Sequence, residues 1–203
     1  MQIKPKTPYF IVFEGIDGSG KTTISKKLKT FFDDKDFDTV WLREPSDTIW
    51  GQKIRTLANL KDSIPIEEEL NYFIEDRKID LKKNIIPALE KGKIVILDRY
   101  YYSNGCYQGA RGLDVKEIID DNLVFAKKPD ITFIIDVPVD IALTRIKKNR
   151  DEAAILFEKK DFLEKVRNNY MNLKYPEIKI IDGTNSIDRV FNDVVKSLNI
   201  NFY

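Results

Sequence analysis

The sequence predicts an α/β fold in three layers, a parallel sheet of five strands flanked by helices, and three observations carry that prediction. Five short apolar runs alternate with longer stretches of helical periodicity, the pattern of strands buried on both faces and joined by helical crossovers. The first run leads directly into a glycine-rich octapeptide and then a helical stretch. The chain has 203 residues, 42% of them apolar, enough for one domain with a sizeable core. In order, strands are expected at Tyr9–Phe13, Thr39–Leu42, Ile94–Leu97, Ile131–Asp136 and Ile178–Ile181. Helices are expected near Thr23–Phe32, Ile49–Leu60, Ile66–Glu90, Asp114–Ala126, Val139–Lys147, Lys160–Tyr175 and Ile187–Leu198. Pro87, which lacks an N–H and crowds the preceding turn, should kink or end the third of these before Glu90. No repeat, low-complexity tract or Pro/Gly/Ser-rich linker divides the chain, so 1–203 reads as a single domain.

Composition removes several classes of function. Lys and Arg number 34 against 33 Asp and Glu, so no net field draws the chain to nucleic acid or to a membrane surface. With no histidine, His-based triads, most zinc sites and histidine general bases are excluded. Cys106 stands alone, which rules out an internal disulfide, suits a reducing compartment and reads most simply as a small buried apolar side chain. There is no apolar stretch of signal-peptide or membrane-spanning length, so the expectation is a soluble, cytoplasmic protein.

The octapeptide Gly15-Ile16-Asp17-Gly18-Ser19-Gly20-Lys21-Thr22, followed by Thr23 at the helix start, fits the phosphate-binding pattern GxxxxGK[ST] without a gap. Its glycines let successive backbone N–H groups converge on phosphate oxygens at a helix N-terminus, whose dipole favours anions. Lys21 supplies a mobile positive charge and the Thr22 hydroxyl a ligand for Mg²⁺. The competing reading, a glycine-rich turn near a lysine, does not account for the strand and helix on either side. The fold class is therefore that of the P-loop nucleotide-binding proteins, and the ligand a nucleoside triphosphate.

In parallel sheets ligands sit beyond the carboxyl ends of the strands, so the residues that follow each strand are the candidates. Arg43-Glu44-Pro45 follows the second strand and Asp98-Arg99-Tyr100 the third. Asp98 is placed to hold Mg²⁺, directly or through water, or else to cap a helix or pair on the surface; Arg99 is placed to clamp phosphates in transfer. On the long helix after Pro65, Phe73 and Arg77 share a face, a ring and a guanidinium fork suited to a planar heterocycle with carbonyl groups. The same pair also reads as a core phenylalanine beside a surface arginine. Tyr100 to Gly109 is too polar and aromatic for a core helix, and its amides, Asn104 and Gln108, can read a base edge. A guanine-nucleotide switch is disfavoured, because NKxD is absent and Asp98 leads into Arg99-Tyr100-Tyr101 rather than DxxG. A small phosphotransferase remains.

FEGIDGSGKTT, LREP, FIEDR and LDRYYYSNGCYQG, in this order and spacing, resemble thymidylate kinase from about Tyr9 to Asp182. The resemblance implies transfer of the γ-phosphoryl of ATP to dTMP with Mg²⁺, a five-stranded parallel sheet and a homodimer. It implies that Lys21 and Arg99 hold the phosphates in flight, that Arg43 and Pro45 border the acceptor, and that Asp17 meets the sugar 3′-hydroxyl. Phe73 would stack on thymine, Arg77 donate to a thymine carbonyl, Asn104 read the N3 edge, Gln108 lie nearby and Tyr107 crowd the 2′ position. Arg145 would lie over adenine, with Gly183 and Thr184 at its border. The sequence departs from the family in two places. LREPSDT lacks a glycine pair after the proline, and a lid over about 147–158 has Leu156 where an arginine is usual. Arg150 is the residue expected to supply the missing lid charge. A kinase of another pyrimidine deoxynucleotide or of a deoxynucleoside, or a nucleotide-binding protein with impaired turnover, are the alternatives.

Overall fold

The computed structural model describes residues 8–58, 64–147 and 155–198. Five strands, β1 (Tyr9–Glu14), β2 (Thr39–Arg43), β3 (Ile94–Asp98), β4 (Ile131–Asp136) and β5 (Ile178–Asp182), form one sheet in the order β2-β3-β1-β4-β5, with every neighbouring pair parallel. Side chains alternate between the two faces of a strand. Phe10 and Val12 of β1, with Val95 and Leu97 of β3, therefore pack into one core layer, while Ile11, Phe13, Ile94 and Ile96 enter the other. This is the expected three-layer α/β sandwich.

The second layer is closed by α1 (Lys21–Asp33) and α9 (Ile187–Ser197), whose Ile24, Leu28, Val190 and Val194 face the sheet. Between β2 and β3 run α2 (Ile49–Leu57), α3 (Ile66–Asp80), a π-helical turn (Leu81–Ile85) and α4 (Ile86–Glu90). Pro87 therefore does not end the long helix. It sits at the start of α4, and the wider π turn just before it relieves the clash a proline makes with the carbonyl four residues back.

The segment after β3, expected from its polarity to be no core helix, is one. In α5 (Tyr101–Gly109) Tyr101, Tyr102, Ser103, Asn104, Gly105, Cys106 and Gln108 are all buried. Three of its polar side chains can be buried because they are satisfied: Ser103 bonds to Glu14, Asn104 to Arg77, and Gln108 to Glu69, whereas the Tyr101 hydroxyl is buried with no partner. It packs on α6 (Val115–Leu123) and on α8 (Ile155–Asn172), which follows α7 (Val139–Lys147).

Candidate active site

The phosphate loop joins β1 to α1. Gly18 has φ +82°, and a Cβ there would meet the Ala142 carbonyl oxygen at 2.4 Å; at Gly15, φ +136°, it would meet the Ile135 carbonyl oxygen at 2.6 Å. Only glycine serves at either position. Gly20 precedes α1 in the left-handed region and adds no side chain over the helix N-terminus, which leaves the first-turn N–H groups without a side-chain cap. The buried Ile16 holds the loop in place. Its carbonyl accepts from Ser19 N at 3.1 Å and from Lys21 Nζ at 3.3 Å. Burial, reinforced by the charge of Arg99, lowers the Lys21 ammonium to about 8, and Asp17, Asp98 and Glu14 oppose the shift. An anion arriving beside Lys21 opposes this shift and holds the ammonium in its charged form.

At the end of β3 the buried Asp98 accepts from Thr22 Oγ1 at 2.5 Å through Oδ2, while Oδ1 is buried with no partner. A threonine hydroxyl and a carboxylate oxygen still seeking a partner are hard oxygen donors, and they suit Mg²⁺. No cluster of three or more acidic, histidine or cysteine groups exists among the described residues, so most of the ion's coordination would come from water and phosphate oxygens.

Arg99 follows in the left-handed region, φ 72°. Its Nη2 lies 2.6 Å from Asp17 Oδ1 and 3.1 Å from Tyr107 OH, and its Nη1 donates to Ser103 Oγ at 3.0 Å. The guanidinium carbon stands 4.9 Å from the Tyr107 ring centre. The Tyr107 hydroxyl also accepts from Asp17 N at 3.1 Å, which ties the phosphate loop to α5.

Beside these groups opens a cleft of about 440 Å³. Its wall includes Asp17, Pro45, Phe73, Arg99, Asn104, Tyr107 and Gln108, seven of the residues expected around an acceptor, together with Glu69, Ser103, Arg111 and Phe162. Arg77 is placed differently. Its guanidinium turns inward behind the wall, 1% exposed, and donates to Asn104 Oδ1 at 2.7 Å, to Asn122 Oδ1 at 2.6 Å and to Glu44. It reaches the cleft through Asn104. Burial, against the pull of Arg77, pushes the Glu44 carboxyl up to about 8. Arg43 ends β2 exposed, in register with Asp98, outside the wall of this cleft.

A smaller cleft of about 180 Å³ lies on the other flank of the loop, lined by Ser19, Gly20, Thr23, Arg145, Gly183, Asn185 and nearby apolar groups. Arg145 spans it from α7, donating to Ser19 O at 3.1 Å and to Gly183 O at 2.9 Å. Thr184 does not line it, because its hydroxyl and N–H are turned to Asp182 Oδ1. Arg150, with Lys148, lies outside the described residues, and Leu156 falls in the first turn of α8.

Sequence reasoning missed Glu69, Arg111 and Phe162 in the cleft, and Glu14, Glu44, Asp76 and Asn122 behind it. For Glu69 the signal was present, because Glu69, Phe73 and Arg77 recur every four residues on α3. For Asp76, which accepts from Ser46 N at 2.8 Å and Ser46 Oγ at 2.7 Å, nothing local distinguished it from a solvated helix carboxylate.

Comparison with known proteins gives this geometry its context. The thymidylate kinase family model matches residues 13–194. A thymidylate kinase from Desulfotalea psychrophila is 41% identical, over 91% of this chain and 91% of that protein. A probable thymidylate kinase from Archaeoglobus fulgidus is 39% identical, over 92% of each. The crystal structure of thymidylate kinase from Ehrlichia chaffeensis superposes with a TM-score of 0.76 at 33% identity, covering 96% of this chain and 99% of that one. Sequence and structure agree from the phosphate loop to the last helix, and the chain belongs to the thymidylate kinase family.

Proposed function

We infer that the chain phosphorylates dTMP at the expense of ATP, giving dTDP and ADP. An oxygen of the dTMP phosphate attacks the γ-phosphorus of ATP, and the bond from that phosphorus to the bridging oxygen of ADP breaks. The observation that carries this reading is the pair of clefts on the two flanks of one phosphate loop, with Lys21 and Asp98 beside the loop and Arg99 in the wall of the larger cleft. The nucleophile is already ionised at neutral pH, so no general base is required, in keeping with a chain that has no histidine. Catalysis is then alignment and charge neutralisation.

In this reading the loop from Gly15 to Thr23 cradles the ATP phosphates, and Arg145, with Gly183 beside it, borders adenine. Thr22 and Asp98 would hold Mg²⁺, which would supply positive charge against the developing negative charge of the phosphates. Phe73 stacks on thymine, and Asn104, backed by Arg77 and flanked by Gln108, reads its polar edge. Pro45 closes that end and Tyr107 faces the sugar. Arg99 and Asp17 exchange their ion pair for contacts to substrate, the guanidinium to phosphate and the carboxylate to the 3′-hydroxyl. Arg43 approaches the acceptor phosphate from the end of β2. A homodimer and a cytoplasmic location complete the proposal.

The test is ADP release measured over a panel of nucleoside monophosphates and deoxynucleosides with Mg²⁺ and ATP. The expected outcome is dTMP as the best acceptor. A panel led by AMP, GMP or a free nucleoside would overturn the assignment.

A further inference from the structure

Glu14, the last residue of β1, is fully buried one residue before the phosphate loop and takes no part in the chemistry described so far. Four donors converge on its two oxygens. Oε1 accepts from Tyr100 N at 2.9 Å and from Ser103 N at 3.1 Å; Oε2 accepts from Ser103 Oγ at 2.5 Å and from Tyr170 OH at 2.9 Å. The two backbone donors belong to the start of α5, whose own N-cap residue, Tyr100, provides no side-chain cap. Glu14 thus does from the neighbouring strand what an aspartate or serine cap does from within a helix, and it sets a carboxyl at the positive end of the dipole.

The second consequence concerns the direction of a proton. A serine hydroxyl has one hydrogen. Ser103 gives its hydrogen to Glu14, so the oxygen is left as an acceptor toward Arg99 Nη1, 3.0 Å away. Arginine can only donate, so this polarity is the one Arg99 needs. The arginine also depends on Glu14 through the backbone. Its left-handed φ of 72° is fixed between its own N–H, bonded to Phe13 O at 2.9 Å, and the α5 turn that Glu14 caps. Burial pushes the Glu14 carboxyl up, while the Ser103 bond, the charge of Arg99 and the bonds from Tyr170 and Tyr100 pull it back.

We propose that Glu14 is a positioning residue for phosphoryl transfer: by capping α5 and orienting the Ser103 hydroxyl it holds the Arg99 guanidinium at the reacting phosphates. This rests on the reading of Arg99 as a phosphate-binding group given above. Glu14→Gln keeps size and shape but replaces an acceptor oxygen with a donor NH₂. Where that NH₂ faces Ser103, the hydroxyl hydrogen turns toward Arg99 and two donors oppose each other.

The experiment is a double-mutant cycle on kcat, read by ADP release with saturating ATP and dTMP, with KM for ATP and the melting temperature measured on each variant. Arg99→Ala alone should lower kcat by roughly 10²-fold. Glu14→Gln alone should lower it by roughly 10-fold or more, with KM for ATP within about twofold of wild type. In the Arg99→Ala background Glu14→Gln should cost nothing further, because the residue it positions is gone. A fully multiplicative loss there would overturn the proposal, since a purely structural role costs the same with or without Arg99. So would a normal kcat in Glu14→Gln. If Glu14→Gln fails to fold, Ser103→Ala carries the same cycle against Arg99→Ala with the same expected outcomes. A normal kcat in Arg99→Ala would instead remove the reading of Arg99, and this proposal with it.

Discussion

The phenol oxygen of Tyr107 accepts from Asp17 N and from Arg99 Nη2, each at 3.1 Å, while its ring lines the larger cleft. The two parts of the side chain separate experimentally. If ring bulk excludes a 2′-hydroxyl, Tyr107→Phe should preserve the preference for dTMP over its ribose analogue, and Tyr107→Ala should relax it by roughly 10-fold or more. The ratio of kcat/KM values for the two acceptors measures this, and an unchanged ratio in the alanine variant would take Tyr107 out of sugar selection. Legibility at this scale followed the distance from the loop. Lys21, Thr22, Asp98 and Arg99 could be named because spacing along the chain implies their chemistry. Arg77 was on the right face of α3, but periodicity fixes a direction and not an endpoint. Its guanidinium goes to Glu44, Asn104 and Asn122, which come from three separate segments.

The helix α5 shows why composition misled where periodicity was weak. Nearly every position is buried, so no polar stripe marks an outer face, and the groups that satisfy Ser103, Asn104 and Gln108 lie 89, 27 and 39 residues away. Its closeness to α6 rests on Gly105, where a Cβ would meet Ile119 Cγ1 at 2.9 Å. Gly105→Ala should therefore lower stability by about 1 kcal/mol or more, overpacking outweighing the helix propensity gained. A chemical denaturation series checks the sign. At the end of α3, Asp80 is buried with Oδ2 unpartnered. Burial, with the charge of Asp76 adding to it and the Asn84 bond opposing, pushes its carboxyl from 3.8 up to about 6. The folded protein thus holds this proton more tightly than the unfolded chain. Its contribution to stability is full below about pH 4 and is lost as pH rises through about 6. Asp80→Asn should match wild type near pH 4 and exceed it progressively above, by at most about 3 kcal/mol at pH 8. Denaturant midpoints at several pH values test this; a constant gap would contradict it.

At the scale of the molecule, the sheet order places β2 and β3 on one side of β1 and β4 and β5 on the other. The alternation of apolar runs made the sheet readable in advance, since each strand is short and bounded by turn residues. The order of its strands was not readable from periodicity, because it is set by which helices cover which face. Since the chain offers Mg²⁺ only Thr22 and Asp98 of the groups described, chelation should abolish ADP release while leaving the melting temperature within about 2 °C of its starting value. Calorimetry with and without a chelator decides this, and a large drop would mean the ion supports the fold. The side-by-side arrangement of the two clefts has a consequence for change over time. In the proposed reading, acceptor recognition is written mainly in α3 and α5, between β2 and β4, and the donor cleft in α1, α7 and the turn after β5. Among the described residues the two vocabularies share the loop and no other element, so a substitution in one can alter which molecule receives the phosphoryl group without rewriting which molecule gives it. A descendant of this chain could thus acquire a new acceptor while remaining an ATP-dependent kinase at every intermediate step.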